Sequence, residues 1–339
     1  MKTICYGINN SHEPNFFKVF INNFKNIYNQ HIVAHDYIEV PKLVDKLCLP
    51  NIVLGRHYGQ SKIKKVRGMF ENSFEYIKKV PYFDISISHG NPSIIHTSKL
   101  RSKLSITFTD NEINHLGHYS YFPFVDFLIT PKAISKEILI SQGARKDRIF
   151  QYDGYKEQIY IADYIPDKKF LSTIPFGSFV TLRPEALKNI YTNNKDSSIV
   201  PELLRLLNIS NINVLYLPRY ESDRAWAENY DNIFIPPEPI NGLDACFYSD
   251  AVLTGAGTFS REAACLGTPA ISFFPGKTLL SVDRDLILKG KVFHSRNPRE
   301  IIDFVKNSQK KESNILNSNI IKNQVLKIVE DCIDISEKE

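Results

Sequence analysis

The chain has 339 residues, 43% of them hydrophobic, and a formal net charge of +5. This length exceeds what one hydrophobic core usually serves, so two domains are expected. The charge is too small to indicate nucleic-acid binding. No apolar run approaches the roughly 20 residues that span a bilayer, and the first ten residues lack the pattern of a signal peptide. Five scattered cysteines without a C-x-x-C pair argue against disulfides or zinc. We therefore expect a cytoplasmic protein.

The first half alternates short apolar runs with stretches of helical periodicity. Strands are predicted at residues 2–8, 31–37, 51–55, 83–88, 104–108 and 124–130, and helices at 13–28, 61–80, 93–101 and 133–142. The helix at 61–80 is expected to bury a stripe made of Ile63, Val66, Met69, Phe70, Phe74 and Ile77. Such alternation implies parallel strands with right-handed crossovers, hence a doubly wound sheet.

Basic residues crowd the segment 56–67, which runs from Arg56 to Arg67 and is followed by Lys78 and Lys79. One interpretation is a solvated helix face. The other is a patch that faces an anionic acceptor or makes peripheral contact with the anionic inner face of the membrane.

Residues 151–175 have no clear period and are rich in Tyr, Pro and Asp, which is typical of an interdomain connection. The alternation then resumes, with strands predicted at 176–183, 213–218, 232–236, 250–254 and 269–274. Helices are predicted at 201–207, 241–248, 260–266 and through most of 299–335. We predict an N-terminal Rossmann-like domain at 1–155, a connection at 156–175, a second such domain at 176–311, and a C-terminal helix at 312–339.

The most informative segment is DAVLTGAGTFSREAACLGTPAISFFPG, at 250–276. A strand ends at Thr254, a glycine turn follows, and a helix is expected from about Ser260. The free N–H groups and positive dipole end of such a helix suit a phosphate or diphosphate. Glu262 in the first turn either stabilises the dipole or accepts hydrogen bonds from ribose hydroxyls. The segment lacks both G-x-G-x-x-G with a following acidic residue and the P-loop pattern, which disfavours a dinucleotide fold or a P-loop.

The stretch GAGTFSREAACLGTPAISFF resembles the nucleotide-binding segment of GT-B proteins, and the chain as a whole resembles the DUF354 family more closely. The resemblance rests on FTDNE (108–112), DGYKE (153–157), Arg183-Pro184, LPR (217–219) and the GAGT…REAA…LGTPAIS block. It implies an α/β protein of GT-B type with two doubly wound domains facing a cleft and C-terminal helices closing the structure. The fold is shared with the lipid II-type glycosyltransferases and the UDP-N-acetylglucosamine 2-epimerases.

By this resemblance Glu262 would hold the ribose, and four residues would line the diphosphate: Gly255, Gly257, Thr258 and Ser260. Arg183 and Arg219 each close a predicted strand, and a guanidinium fork suits phosphate oxygens. A structural ion pair is the alternative for either arginine.

The N-terminal domain is expected to supply the catalytic base. His12 follows the first strand, and Asp110 and Glu112 follow the strand at 104–108. His89 and Asn91, at the end of the preceding strand, are possible sugar contacts, and His89 is a further candidate for the base. The alternatives are helix caps for Asp110 and Asn91 and ordinary loop hydrogen bonds for the histidines. Two possible sugar contacts at the domain junction, Lys156 and Glu157, would otherwise pair with each other.

Three functional classes compete. The first is a glycosyltransferase that moves a sugar from a nucleotide-diphosphate donor, expected to be a UDP-sugar, to a cytoplasmic glycan or lipid-linked acceptor, with neither metal nor cofactor. The acidic pair in Asp283-Arg284-Asp285 has a metal-binding spelling but is expected inside a helix. The second class is a 2-epimerase, disfavoured because Asn91 and Arg183 stand where epimerases carry an acidic residue and a histidine. The third is a non-catalytic nucleotide-sugar binding protein.

Overall fold

The computed structural model describes residues 1–37, 40–56, 62–187, 197–311 and 315–338, with only the backbone at 62–66 and 315. The chain forms two compact units. The N-terminal unit comprises Met1–Tyr160 and Asn319–Glu339, and the C-terminal unit comprises Ile161–Ser318. The boundary between them falls inside a helix, at Lys156–Ile161.

The N-terminal unit is built on a seven-stranded sheet in the order β3-β2-β1-β4-β5-β6-β7. Its strands are β1 (Thr3–Ile8), β2 (Asn29–His35), β3 (Asn51–Leu54), β4 (Ile85–His89), β5 (Leu104–Phe108), β6 (Phe127–Pro131) and β7 (Ile149–Tyr152). The helices are α1 (Glu13–Phe24), α2 (Val40–Asp45), α3 (Lys62–Lys79), α4 (Pro92–Leu100), α5 (His115–Tyr121), α6 (Lys136–Ser141) and α7 (Lys156–Ile161). All pairings between these strands are parallel.

The strands β1, β4 and β6 are buried along nearly their whole length. This is expected of a parallel sheet whose two faces are both covered by helices. Aromatic side chains fill much of this core: the rings of Phe16 and Phe20 on α1 lie 5.0 and 5.4 Å from that of Phe108 on β5. The core therefore fixes the position of α1 relative to the end of β5, where candidate site residues follow.

The C-terminal unit is built on a six-stranded sheet in the order β10-β9-β8-β11-β12-β13, again paired in parallel throughout. Its strands are β8 (Val180–Arg183), β9 (Val214–Tyr216), β10 (Ile233–Phe234), β11 (Val252–Thr254), β12 (Ala270–Ser272) and β13 (Val292–His294). The helices are α8 (Val200–Ile209), α9 (Gly242–Tyr248), α10 (Gly257–Cys265), α11 (Ser281–Leu288) and α12 (Pro298–Asn307). Leucines of α8 pack with β8 and β9 in its core.

The last helix, α13 (Ile315–Lys338), belongs with the N-terminal unit from Asn319 onward. The carboxylate of Glu337 lies 2.7 Å from the ammonium of Lys2, and the amide oxygen of Gln324 accepts from the backbone N–H of Asp153 at 3.2 Å. The end of the chain is thereby attached to the sheet on which the chain began.

The residues predicted as an irregular connection are more ordered than their sequence indicates. They begin within β7, continue through α7, and include a 3-10 helix at Lys168–Thr173. Short elements rich in Tyr and charged residues give no clear period, which is why pattern reasoning missed them.

The stripe predicted for the helix at 61–80 is wrong in two of its members. Phe70 and Phe74 are exposed, and the side chains facing the core are Asn72, Ser73 and Tyr76. The hydroxyl of Ser73 meets the ring of His96 on α4 at 3.0 Å, and the amide of Asn72 bonds both the N–H and the carbonyl of Arg56. Because these polar groups have partners, the helix can bury them and leave its phenylalanines outside.

The two kinds of phenylalanine are expected to respond differently to truncation. Phe16→Ala should lower the free energy of unfolding by about 3–5 kcal/mol, because it leaves a cavity in the aromatic core. Phe74→Ala should change it by less than about 1 kcal/mol, because the ring is exposed and contacts mainly the ammonium of Lys78. Urea denaturation of both variants measures the difference. Equal losses would contradict the exposed position of Phe74.

Candidate functional site

The loop after β1 is held by Glu13, the first residue of α1. Its carboxylate is fully buried and accepts hydrogen bonds from the N–H of Asn9 at 2.6 Å and from the side-chain amide of Asn10 at 2.7 Å. Burial raises the pKa of Glu13, an effect that the nearby His89 and these hydrogen bonds oppose. The sequence showed the loop but gave no role to this glutamate, which anchors it.

The strands β4 and β5 bring His89 and Asp110 together. His89 ends β4 opposite Phe108 in the register, and Asp110 follows two residues later. The Nε2 of His89 lies 3.3 Å from Oδ1 of Asp110, and the ammonium of Lys156 lies 2.8 Å from Oδ2. The three side chains are only 12, 9 and 4% exposed. A buried carboxylate therefore holds a histidine on one oxygen and a lysine on the other.

Two other predicted residues lie around this cluster. His12 precedes α1, and its ring stands perpendicular to that of His89 with 6.4 Å between the centroids. The side chain of Asn91 caps α4, since its Oδ1 accepts from the N–H of Ile94 at 3.2 Å. The helix-cap alternative therefore holds for Asn91, whereas Asp110 is used in the cluster and not as a cap.

Glu112 and Glu157 are both buried, at 5 and 1% exposure. Lys156, which precedes Glu157 on α7, reaches Asp110. The backbone carbonyl of Glu112 accepts from Nε2 of Gln142 at 2.8 Å, and the side-chain oxygen of Gln142 bonds Nδ1 of His118. His118 thus fixes the loop that carries Asp110 and Glu112, a role that the sequence did not reveal.

This network should make stability depend on pH. Burial lowers the pKa of His118 from 6.5 to about 4, against the opposing hydrogen bond from Gln142. Because the unfolded chain takes up the proton more readily, the folded state should lose stability as the pH falls below 6.5 and lose no more below about 4. The loss should reach about 2 kcal/mol near pH 5.

The variant His118→Phe should remove this part of the pH dependence, although it also costs the bond to Gln142. Urea denaturation near pH 7 and near pH 5 should show a smaller drop in the variant than in the wild type. Tyr119→Phe is the matched control, because Tyr119 is exposed on the same helix. An unchanged drop in His118→Phe would contradict the buried neutral histidine.

In the C-terminal unit, three adjacent strands end where the predicted phosphate-binding residues lie. Arg183 is the last residue of β8, Arg219 follows β9 by three residues, and Thr254 ends β11. The sheet places β8 between β9 and β11, and the N–H of Gly255 donates to the carbonyl of Arg183 at 3.1 Å. The carboxyl edge of this sheet therefore gathers them, as expected of doubly wound folds.

The two arginines lie close enough to perturb each other. Burial lowers the pKa of Arg219, and the positive charge of Arg183 lowers it further. Within the part of the chain that the structure describes, the buried Nε of Arg219 has no hydrogen-bond partner. The guanidinium of Arg183 lies 5.8 Å from the ring of Phe259, in the first turn of α10. Like charges held together at a helix N-terminus are stabilised by an anion.

The helix α10 begins at Gly257, three residues earlier than predicted, after Ala256, which provides no side-chain cap. Gly257 and Thr258 are therefore in the first turn. Gly255 has a structural reason to be glycine, because a Cβ there would lie 2.6 Å from the Cα of Glu185. Packing against Glu185 thus explains glycine at this position by itself, and contact of Gly255 with a diphosphate stays a prediction.

The remaining predicted contacts differ in their surroundings. The hydroxyl of Ser260 is buried and donates to the carbonyl of Gly257 at 2.8 Å, so it serves the helix itself. The hydroxyl of Thr258 accepts from Arg261 at 3.3 Å. Glu262 is half-buried near α9, where its charge adds to the effect of burial in raising the pKa of Cys246.

A buried ion pair beneath this turn was missed. Arg261 lies 2.9 Å from Asp283, with both side chains largely buried. Asp283 does lie in a helix, α11, as predicted. Its carboxylate thereby pairs with α10 through Arg261. The sequence signal, an arginine inside the helix and an acidic residue 22 positions later, is too common to identify such a pair.

Among the described residues, no group of three or more His, Cys, Asp or Glu side chains could hold a metal ion. No described helix is both long enough and apolar enough to cross a membrane. Of the basic segment 56–67, residues 57–61 lie outside the described residues, as do the side chains of 62–66. Arg67, at the end of this segment, forms an ion pair with Glu71 at 2.6 Å.

Comparison with known proteins shows the family. Residues 3–335 match the family described as "Protein of unknown function (DUF354)". This chain belongs to the DUF354 family. One relative, "Uncharacterized protein MJ0665" from Methanocaldococcus jannaschii, is 27% identical over 220 residues, and the match spans 62% of this chain and 63% of the relative.

Solved structures show the fold of this DUF354 protein. A UDP-GlcNAc 2-epimerase from Methanocaldococcus jannaschii, in complex with UDP-GlcNAc and UDP, superposes with a TM-score of 0.70 at 15% identity, covering 97% of this chain and 99% of the epimerase. The glycotransferase of kitacinnamycin superposes with a TM-score of 0.62 at 9% identity, covering 98% of each chain. The protein therefore has the GT-B fold, which confirms the fold class and the family predicted from the sequence.

Proposed function

We propose that this DUF354 protein is a glycosyltransferase that takes a sugar from a nucleotide-diphosphate donor, a UDP-sugar, and transfers it to a glycan or lipid-linked acceptor in the cytoplasm, without a metal. The observation that carries the proposal is the contact of 3.3 Å between His89 and Asp110. A histidine oriented by a buried carboxylate is suited to removing a proton from an acceptor hydroxyl.

The donor would bind in the C-terminal unit. Arg183, Arg219 and the N-terminus of α10 bring positive charge to the carboxyl edge of this sheet, where Nε of Arg219 is buried. A diphosphate fits this arrangement, and neutralising its charge would help it to leave without a cation. Glu262 remains the candidate for the ribose. Proteins of similar structure that form complexes with UDP or UDP-GlcNAc support the choice of donor.

The N-terminal unit would activate the acceptor. Asp110 would accept a hydrogen bond from the N–H at Nε2 of His89. The lone pair of the ring is then on Nδ1, which can take the hydroxyl proton of the acceptor. The acceptor oxygen then bonds the anomeric carbon, and the bond from that carbon to the diphosphate oxygen breaks. Asp110 stabilises the resulting imidazolium. The ammonium of Lys156 lies against the second oxygen of this carboxylate and holds it in place.

Epimerisation at C2 is the second candidate. The buried carboxyl groups Glu13 and Glu112 favour it, since burial raises the pKa of Glu13 toward the range of a general acid. Against it, Glu13 is hydrogen-bonded by the β1 loop, and Asp110 is occupied by His89 and Lys156. These contacts suit a histidine base that is oriented by a carboxylate better than they suit a set of carboxyl groups that exchange protons with the sugar.

Incubation with UDP-N-acetylglucosamine alone separates the two reactions. A transferase is expected to give only slow release of UDP, followed by faster release when an acceptor is added. Formation of the 2-epimer, or of free N-acetylmannosamine, would establish the epimerase instead. Chromatography of the nucleotides and of the released sugars measures both outcomes.

His89→Asn should lower turnover roughly a hundredfold or more, because the general base is lost. UDP affinity should not change, because the diphosphate contacts lie in the C-terminal unit. The control is His115→Gln, which changes an exposed histidine of the same unit. Turnover that survives in His89→Asn would remove the histidine from the mechanism, and His12→Asn would then be the next variant.

Arg219→Met should abolish stabilisation by UDP, because it removes half of the paired positive charge. For the wild type, UDP at about 100 times its dissociation constant should add roughly 2.7 kcal/mol of stability. Without UDP the variant should melt at the wild-type temperature or above it, since the repulsion between Arg183 and Arg219 is relieved.

Arg224→Met provides the matched control for this thermal-shift measurement, because Arg224 is exposed in the same unit and pairs only locally with Glu221. Full UDP stabilisation of Arg219→Met would refute the diphosphate assignment. A lower melting temperature without UDP would show that Arg219 is instead a structural residue.

A further inference from the structure

Three elements of the N-terminal unit expose large apolar side chains. They are α3, α5 and the 3-10 helix Phe122–Phe124. The exposed fractions are 66% for Phe70, 59% for Phe74, 70% for Leu116, 54% for Tyr119 and 41% for Phe124. We call this set the aromatic face. Single exposed apolar residues are common on proteins, but five on adjoining elements indicate an interaction surface.

His96 on α4 ties the three elements together. Its Nδ1 lies 3.0 Å from the hydroxyl of Ser73 on α3, and its Nε2 lies 2.8 Å from the carbonyl of Ser120 on α5. Its ring meets that of Phe124 edge-on, with centroids 5.5 Å apart. Along the chain, each residue of the aromatic face lies within four positions of Ser73, Ser120 or Phe124, the three residues that contact His96. The three elements that carry the five side chains therefore all contact a single half-buried histidine.

The surroundings of the aromatic face are positively charged. The sequence of α3, KIKKVRGMFENSFEYIKK, carries six Lys or Arg and two Glu, and neither α4 nor α5 contains an acidic residue. The side chains of Arg67 and Lys79 are exposed, where they pair with Glu71 and Glu75, and the ammonium of Lys78 lies 4.1 Å from the centre of the Phe74 ring. Aromatic rings interleaved with long cationic side chains suit an interface that is apolar inside and anionic at its rim.

We propose that the aromatic face docks on the surface of an anionic phospholipid bilayer. The rings would enter the boundary between headgroups and acyl chains, while the lysines and arginines contact lipid phosphates. A second copy of the chain is a poorer partner, because the excess positive charge of α3 would face its own kind across a two-fold axis. The proposal goes beyond the proposed function, since it holds for any reaction that the protein performs.

Co-sedimentation with vesicles tests the proposal on the full chain. The protein should pellet with phosphatidylcholine vesicles that contain phosphatidylglycerol, and should stay in solution with phosphatidylcholine alone. Added salt should weaken binding. The double variant Phe70→Ser, Phe74→Ser should bind the mixed vesicles roughly tenfold or more weakly, because two apolar insertions are lost. The matched control is Ile165→Ser, Leu288→Ser, which removes two side chains of similar exposure in the C-terminal unit.

Three outcomes would overturn the proposal. One is equal binding of the two double variants to the mixed vesicles. Another is binding of the wild-type protein to vesicles of phosphatidylcholine alone. The third is an absence of vesicle binding together with a wild-type dimer that Phe70→Ser, Phe74→Ser converts to a monomer, which would assign the face to a second copy. Melting temperatures of both variants verify folding. UDP-stabilisation measurements in the same samples show separately whether the nucleotide site is intact, so failure of one proposal does not imply failure of the other.

Discussion

Parallel strand pairing is the constraint on which both candidate sites depend. In a parallel sheet all carboxyl ends meet at one edge, so residues distant in sequence become neighbours when they follow adjacent strands. In the N-terminal unit this rule brings His89, at the end of β4, to Asp110, just after β5. In the C-terminal unit it gathers Arg183, Arg219 and the start of α10 around the ends of β8, β9 and β11.

The two edges differ in how their charges are compensated. In the N-terminal unit the carboxylate of Asp110 lies between a histidine and a lysine, so its charge is balanced within the protein. In the C-terminal unit two guanidinium groups lie close together, and the pKa of Arg219 is lowered accordingly. A carboxylate between a histidine and a lysine is suited to moving a proton, whereas two neighbouring guanidinium groups are suited to holding an anion. This difference supports assigning acceptor activation to one unit and the diphosphate to the other.

Stability and binding conflict at several positions. Phe70 and Phe74 would be better for folding if they were buried, yet α3 turns Asn72, Ser73 and Tyr76 inward and leaves the phenylalanines exposed. The buried polar groups of Asn72 and Ser73 have partners, so the arrangement costs little. Burial and the charge of Arg183 likewise lower the pKa of Arg219, so both disfavour its charged form. Such departures from the most stable arrangement are expected where a surface or an edge serves binding.

The sequence by itself determined the two doubly wound sheets, the family and the turn at Gly255 to Thr258, because apolar periodicity and glycine placement are local properties of the chain. It also named His89, Asp110, Lys156, Arg183 and Arg219 as candidates. Only the tertiary structure decided which of them meet: Lys156 reaches Asp110 rather than Glu157, and Asn91 caps α4. It also decided the roles of Glu13, His118 and the Arg261–Asp283 pair. Helical periodicity cannot distinguish an inward aromatic stripe from an outward one when polar residues on the other face find buried partners. Only the packing of α3 against its neighbours therefore decides which of its faces is exposed.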